Sequence, residues 1–297
     1  MYKRQGSTII YGDTDSVYYS AIPALKDEIA NGNVEWDKEK AIKLYDAIGE
    51  EVNSSFPQFM NNTFGITIES GEIIAAAREI VASRGLFIKK KRYGILVYDQ
   101  EGNRKDTDGK PGKLKAMGLD LKRSDTPEFM QRFLEEILFE VLDGKQEADI
   151  LDRIKEFREN FKERPGWEKG TPKRVNNLTK YTNMFERTGK CGVGHVMAAI
   201  NWNRLRKAYS DNYSMEITDG MKTIVCKLKN NPMGMTSVAY PIDELHLPQW
   251  YKDLPFDHTE MERTIINKKI DNLIGVLNWD LKETESTNTF DSLFEIA

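Results

Sequence analysis

Ser7-Thr8-Ile9-Ile10-Tyr11-Gly12-Asp13-Thr14-Asp15-Ser16-Val17-Tyr18-Tyr19-Ser20 is a pair of β-favouring runs around an acidic bend. Thr, Ile, Val and Tyr suit a pleated strand, and Gly-Asp-Thr-Asp suits the turn between two of them, so the stretch predicts a hairpin. On an extended chain Asp13 and Asp15 would share one face. A bend between them re-aims both carboxylates, which can then converge on one cation at the exposed tip. Hard divalent ions such as Mg2+ take carboxylate oxygens and keep several waters, leaving room for substrate phosphates. Two such ions about 3.5–4 Å apart can clamp the attacking and leaving oxygens of a phosphoryl transfer. Asp-x-Asp by itself is ordinary turn chemistry, the Asp side chain bonding its own backbone.

About seventy-five residues downstream stands Lys89-Lys90-Lys91-Arg92-Tyr93-Gly94, with Leu86-Phe87-Ile88 before it and Ile95-Leu96-Val97 after it. The apolar flanks predict a strand from Leu86 to Tyr98 that presents the basic side chains from a rigid element. Charge is unevenly spread around it. The whole chain carries 43 Lys plus Arg against 47 Asp plus Glu, a net charge of -4, yet Arg84 to Arg123 holds twelve basic and five acidic residues. A local +7 on an acidic body can still meet a phosphate backbone, because screening leaves only charges within about 8–10 Å of each other effective. On charge alone such a run is more simply a solvated surface.

The chain's 297 residues are enough for two domains, and 39% hydrophobic with 10% aromatic is too rich in core formers for a disordered chain. No apolar run reaches the roughly eighteen residues of a membrane span, and no secretory leader is evident. Two cysteines, Cys191 and Cys226, cannot build a disulfide framework and fit a reducing setting. Together with His195 they hint at zinc, but no four-ligand set with finger spacing exists. Helices are expected over Lys38–Phe56, ending before Pro57, over a segment from about Pro127 to Gly144, over Gln146–Glu163 and over Glu260–Leu277. Strands are expected over Phe64–Ile68 and Met221–Leu228, with loops at Asp99–Lys113 and Pro165–Pro172. The class is α+β: a β-containing first third, then a mostly helical remainder.

Tyr11-Gly12-Asp13-Thr14-Asp15-Ser16 resembles motif C of the family B (α-like) DNA polymerases, the tip of their palm hairpin. Lys90-Lys91-Arg92-Tyr93 resembles the motif with which that family holds the primer end and probes the minor groove. Leu114-Lys115-Ala116-Met117-Gly118-Leu119 and Arg123-Ser124-Asp125-Thr126-Pro127 are similar to the junction between palm and thumb. Asn176–Tyr181, Lys190-Cys191 with His195, and Asn231–Gly234 fall in the order of the thumb of T-even type bacteriophage polymerases. The resemblance covers nearly the whole chain, strongly before Pro127 and more loosely after it.

It implies a partial palm over residues 6–123, a helical thumb over 124–281, and a flexible tail over 282–297. Asp13 and Asp15 are the implied catalytic and Mg2+-binding residues, two ions serving the assembled site. Lys90, Lys91, Arg92, Tyr93 and Lys115 are the implied contacts to primer-template DNA. Phe290, Leu293, Phe294 and Ile296 resemble the terminal peptide that binds a sliding clamp. An acidic residue near the metals would correspond to Glu69 or Glu72, a choice that stays open. Motif A and the fingers residues that grip a dNTP are not found. The implied enzyme is a DNA-directed DNA polymerase completed by an N-terminal part, on the same or a separate chain, in the cytoplasm of an infected bacterium. Met1-Tyr2-Lys3-Arg4-Gln5 matches the translation of a transposon end used in library preparation and is expected to be a non-native leader. A natural split subunit and a truncated reading frame both fit. The alternative, from another class, is a non-catalytic module that binds DNA and a clamp.

Overall fold

The computed structural model describes residues 8–13 and 15–284. Residues 1–5 and the tail residues Phe290, Leu293, Phe294 and Ile296 lie outside the described residues. The chain divides into two units, Met1–Gly118 and Leu119–Ala297.

The first unit opens with the expected hairpin, β1 (Thr8–Gly12) and β2 (Val17–Ser20), with Tyr11 opposite Tyr18 and Gly12 opposite Val17. A short helix α1 (Ile22–Ala30), with Pro23 in its first turn, follows directly. Next comes α2 (Lys38–Phe64), capped where the Asp37 side chain accepts the Lys40 N–H at 2.8 Å. α2 does not stop before Pro57 but runs on to Gly65, whose φ of 66° ends it. Proline gives up one intrahelical bond, a loss that long helical flanks can absorb. It also offers a close surface: a Cβ on Gly71 would lie 2.8 Å from Pro57 Cα, so the four-residue helix α3 (Ile68–Gly71) folds tightly onto it. The strand expected at Phe64–Ile68 is thus a helix end and a turn. Five residues are too few for periodicity to tell the two apart.

The expected strand over Leu86–Tyr98 is in fact two strands. β3 (Ile80–Lys89) and β4 (Arg92–Gln100) pair antiparallel, Lys89 opposite Arg92, and the chain reverses at Lys90-Lys91. Beyond β4 a two-residue loop, Glu101-Gly102, with φ of 51° and 80°, leads into β5 (Asn103–Arg104). Positive φ at both loop positions matches the natural twist of a hairpin. β6 (Lys113–Met117) pairs with β4 along the same edge as β5, opposite β3.

β4 is therefore central, and every residue from Tyr93 to Asp99 is buried. On one side Tyr98 joins Ala41 and Val81, with Trp36, Ile42 and Tyr45 against them. On the other Tyr93, Ile95 and Val97 pack with Tyr11, Tyr18, Phe87, Ile80 and Ala82. A strand covered on both faces needs a continuous apolar run, which is what Ile95-Leu96-Val97-Tyr98 supplies. Arg78 bridges Asp46 of α2 and buried Asp99 of β4.

In the second unit α4 (Glu128–Asp143) and α5 (Glu147–Glu163) stand where the periodicity places them. Met130, Phe133, Leu134, Ile137, Leu138 and Leu142 are buried, Phe133 stacks on Phe157 at 3.7 Å, and Gly144, at φ 100°, closes α4. Beyond α5, helices alternate with a small sheet, one strand of which lies where Met221–Leu228 is expected. β7 (Thr171–Arg174), α6 (Leu178–Thr188), α7 (Gly194–Ala208), β8 (Lys222–Lys227) and β9 (Ser237–Pro241) follow, with β8 between the other two strands and α7 against β9. The loop expected through Pro172 ends in β7, and an edge strand is where proline is tolerated.

After α8 (Gln249–Lys252) the final helical stretch is interrupted: α9 (His258–Glu262), a π-helical turn at Arg263–Asn267, then α10 (Lys268–Ile274). Buried Arg158 of α5 explains the interruption's position, since its guanidinium donates to Glu262 at 3.1 Å, to Asn267, and to the Thr284 hydroxyl at 3.1 Å. No described helix is long and apolar enough to cross a membrane.

Asp125 accepts from Arg123 at 2.9 Å and from Lys173 at 3.0 Å, and the Arg123 bond above all holds its carboxyl well below the ordinary value of 3.8. A carboxyl depressed by folding stabilises fully above its unfolded value and loses that contribution as pH falls through the folded one. The melting temperature should therefore drop between about pH 5 and pH 2, and Asp125→Asn should lower it at pH 7 while flattening that acid limb. Circular-dichroism melts across the range check both.

Candidate active site

The bend between β1 and β2 closes with the Asp13 N–H donating to the Ser16 carbonyl at 2.9 Å. Asp13 is half-buried and Asp15 exposed. Strand alternation puts Tyr11 and Asp13 on one face, and the Tyr11 hydroxyl donates to Asp13 Oδ2 at 3.3 Å. The hairpin is held from both sides. Tyr19 meets Tyr45 of α2 edge to face at 5.4 Å, and the Tyr45 hydroxyl accepts the Ala21 N–H at 3.2 Å. On the opposite face Tyr11 and Tyr18 join Phe87 of β3 and Tyr93 of β4. All six ring pairs in this quartet have centroids between 5.4 and 6.0 Å apart. The Tyr18 and Tyr93 hydroxyls lie 3.1 Å apart, and burial, then this bond, pushes the Tyr18 phenol well above its ordinary value.

The quartet brings the basic turn beside the acidic one. The Lys91 N–H donates to the Tyr11 hydroxyl at 3.0 Å. Lys89, Lys90 and Lys91 are exposed, Arg92 is half-buried, and Tyr93 is 3% exposed, its ring inside the quartet rather than open to a ligand. Elsewhere in the basic segment Arg104 pairs with Asp106, Lys115 with Glu79 at 2.7 Å and Lys122 with Glu135 at 3.4 Å. Among the described residues no carboxylate forms an ion pair with Lys89, Lys90 or Lys91.

Lys115 lies in β6 opposite Ile95. Its partner Glu79, just before β3, also bears electrostatically on Tyr18. Glu79 belongs to none of the sequence motifs. Its one signal was its position at the start of the strand that leads to the basic cluster. Glu69 and Glu72 are exposed on and just beyond α3. Cys226 is buried and Cys191 half-buried, and among the described residues no group of three or more His, Cys, Asp or Glu side chains is placed to hold a metal ion. Asp13 and Asp15 have the hard oxygen donors a divalent ion takes, but two carboxylates are an incomplete set.

Comparison with known proteins matches residues 2–188 to the model of DNA polymerase family B. The chain belongs to that family. It is 29% identical over 245 residues to the DNA-directed DNA polymerase of Escherichia phage RB69, and 28% over 241 residues to that of Enterobacteria phage T4. Each match takes in 78% of this chain and 26% of the relative. DNA polymerase 037L of Invertebrate iridescent virus 6 is 25% identical over 155 residues, 52% of this chain and 11% of the relative. The chain therefore spans about a quarter of the length of the phage polymerases it matches.

The basic turn of this family member has little backbone freedom. Lys91 has a φ of 60°, and Gly118, at φ 63°, lies so near it that a Cβ would sit 2.1 Å from the Lys91 carbonyl oxygen. Gly118→Ala should therefore cost at least about 2 kcal/mol, through both strain and displacement. Gly102→Ala, at a φ of 80° but with nothing within 4 Å of its Cβ, should cost about 1 kcal/mol or less. Denaturant titration of the two variants separates clash from strain.

Proposed function

We propose that this chain is the C-terminal portion of a phage replicative DNA-directed DNA polymerase, supplying half of the catalytic centre and much of the grip on primer-template DNA. The observation that supports it is the juxtaposition of an acidic hairpin tip and an exposed lysine turn on one aromatic quartet, within a member of DNA polymerase family B. Residues up to about 123 act as part of the palm, 124–281 as the thumb, and the tail as the peptide for a sliding clamp. The setting is the cytoplasm of an infected bacterium.

In the assembled enzyme Asp15, with Asp13 assisting, would hold Mg2+, and the remaining ligands, among them the aspartate of motif A, come from the N-terminal part. Such ions supply Lewis-acid stabilisation of the phosphoryl group and of the attacking 3′ oxygen. The work of this chain is positional. The bend closed by the Asp13 N–H and the Ser16 carbonyl carries the two carboxylates. Lys90, Lys91 and Arg92 meet the phosphates and groove edge near the primer end, where Lys and Arg contacts fix register rather than read sequence. Tyr93 serves as the buried footing of that turn, and Lys115 reaches DNA by exchanging Glu79 for a phosphate. The dNTP grip belongs to the fingers of the N-terminal part.

Primer extension by the chain together with the N-terminal part of a T-even type polymerase tests this reading. Asp15→Asn should cut extension by roughly a hundredfold or more, while primer-template affinity stays within about twofold. Extension at the wild-type rate would overturn the metal assignment, and binding without extension in the unmutated assembly would favour a non-catalytic DNA-binding module. Independently, Lys90→Ala with Lys91→Ala should reduce the slope of log affinity against log salt by up to about 0.9 per lost phosphate contact. Anisotropy titrations with duplex DNA at several salt concentrations measure it.

A further inference from the structure

The Tyr11 hydroxyl stands between the two charged turns. It donates its one proton to Asp13 Oδ2 at 3.3 Å and accepts the Lys91 N–H at 3.0 Å. A polar chain thus runs from the backbone of the basic turn, through one phenol, to a carboxylate of the acidic one, and each bond polarises the next. The peptide on the far side of Lys91 is confined as well, because its carbonyl abuts Gly118 with no room for a side chain between them. Lys91 itself holds a left-handed φ of 60°, a conformation that an ordinary residue keeps only where its surroundings enforce it. Ring packing does not account for this hydroxyl. Tyr11 meets Tyr18, Phe87 and Tyr93 through its ring at 5.6–6.0 Å, and phenylalanine would keep those contacts.

We propose that Tyr11 is a positioning residue: its hydroxyl latches the lysine turn to Asp13, setting the distance between the groups that hold the primer end and the carboxylates that hold the ions. The inference rests on the polymerase reading for its catalytic consequence, but not for the latch itself. A group that sets spacing acts on the rate of a step whose reacting atoms must be aligned to a fraction of an ångström, and far less on affinity for DNA.

Two measurements on Tyr11→Phe test it. In the 297-residue chain, amide hydrogen exchange followed by NMR should show Lys91 exchanging at least about tenfold faster than in the unmutated protein, while Ile95 and Val97 of β4 keep their rates. An unchanged Lys91 rate overturns the latch. Acceleration of all three amides alike also overturns it, since that is the mark of a general loss of stability. In the enzyme completed by the N-terminal part, kcat should fall about tenfold, the scale of one hydrogen bond to a charged group, with the KM for dNTP and the affinity for primer-template within twofold. The Mg2+ concentration giving half-maximal rate should rise. Wild-type kcat in Tyr11→Phe alongside a dead Asp15→Asn overturns the positioning role alone. An active Asp15→Asn instead removes the polymerase reading and leaves the latch to be decided by the exchange rates.

Discussion

Everything at the candidate site depends on four aromatic rings. A two-stranded hairpin is at best marginally stable alone in water, so β1 and β2 need a partner surface to hold the acidic bend in place. Tyr11 and Tyr18 provide one half of that surface and Phe87 and Tyr93 the other, and each aromatic pair adds about 0.5–1.5 kcal/mol to its area of burial. The same four side chains fix the register of both hairpins. Tyr11 lies opposite Tyr18, and Phe87 opposite Tyr93, so a one-residue slip in either would turn a ring out of the cluster. Packing and chemistry share a cause here: the contacts that stabilise the hairpin also bring the Asp13 carboxylate beside the lysine turn.

The local signals proved readable in the sequence, and the ones that needed a distant partner did not. Six residues at the bend of β1 and β2 specify a turn wherever they occur, because Gly and Asp carry their own turn chemistry. The helices α4 and α5 are equally legible, since Met130, Phe133, Leu134, Ile137 and Leu138 recur at spacings of both three and four, as do Ile150, Ile154, Phe157 and Phe161. By contrast, nothing local in Phe87–Val97 tells a single strand from two. The lysines lack the Gly or Asn that usually marks a tight reversal, and Lys91 takes the left-handed turn position itself. Tyr93 illustrates the same limit. Its place in an apolar run implies burial of one face, but which face is decided by a hairpin 75 residues earlier. Pro57 misleads for the opposite reason, because a local rule about helix ends is overridden by the length of α2 and by the close seat that Gly71 makes against it. Family membership rests on the matched sequence, the packing around the two turns motivates the proposed metal and primer contacts, and the proposed clamp peptide rests on the sequence of the tail alone.

Charge at the site divides by what it would cost to redirect. Arg104 and Asp106 are tightly paired with Lys38 close by, and that carboxyl is held well below its ordinary range chiefly by the Arg104 bond, so these charges belong to the fold. Lys115 and Glu79 are a different case. The lysine side chain is 34% exposed and the glutamate 54%, and an ion pair in that setting contributes at most about 1 kcal/mol. A phosphate that neutralises Lys115 releases counterions as well as replacing one weak contact, so the exchange costs little. The lysines of the turn begin with no ion pair to break among the described residues. A polyanion approaching this surface would engage them first, and Lys115 would follow at small expense. A net charge of -4 is therefore compatible with the proposed DNA contact, because the charges that matter are the local ones.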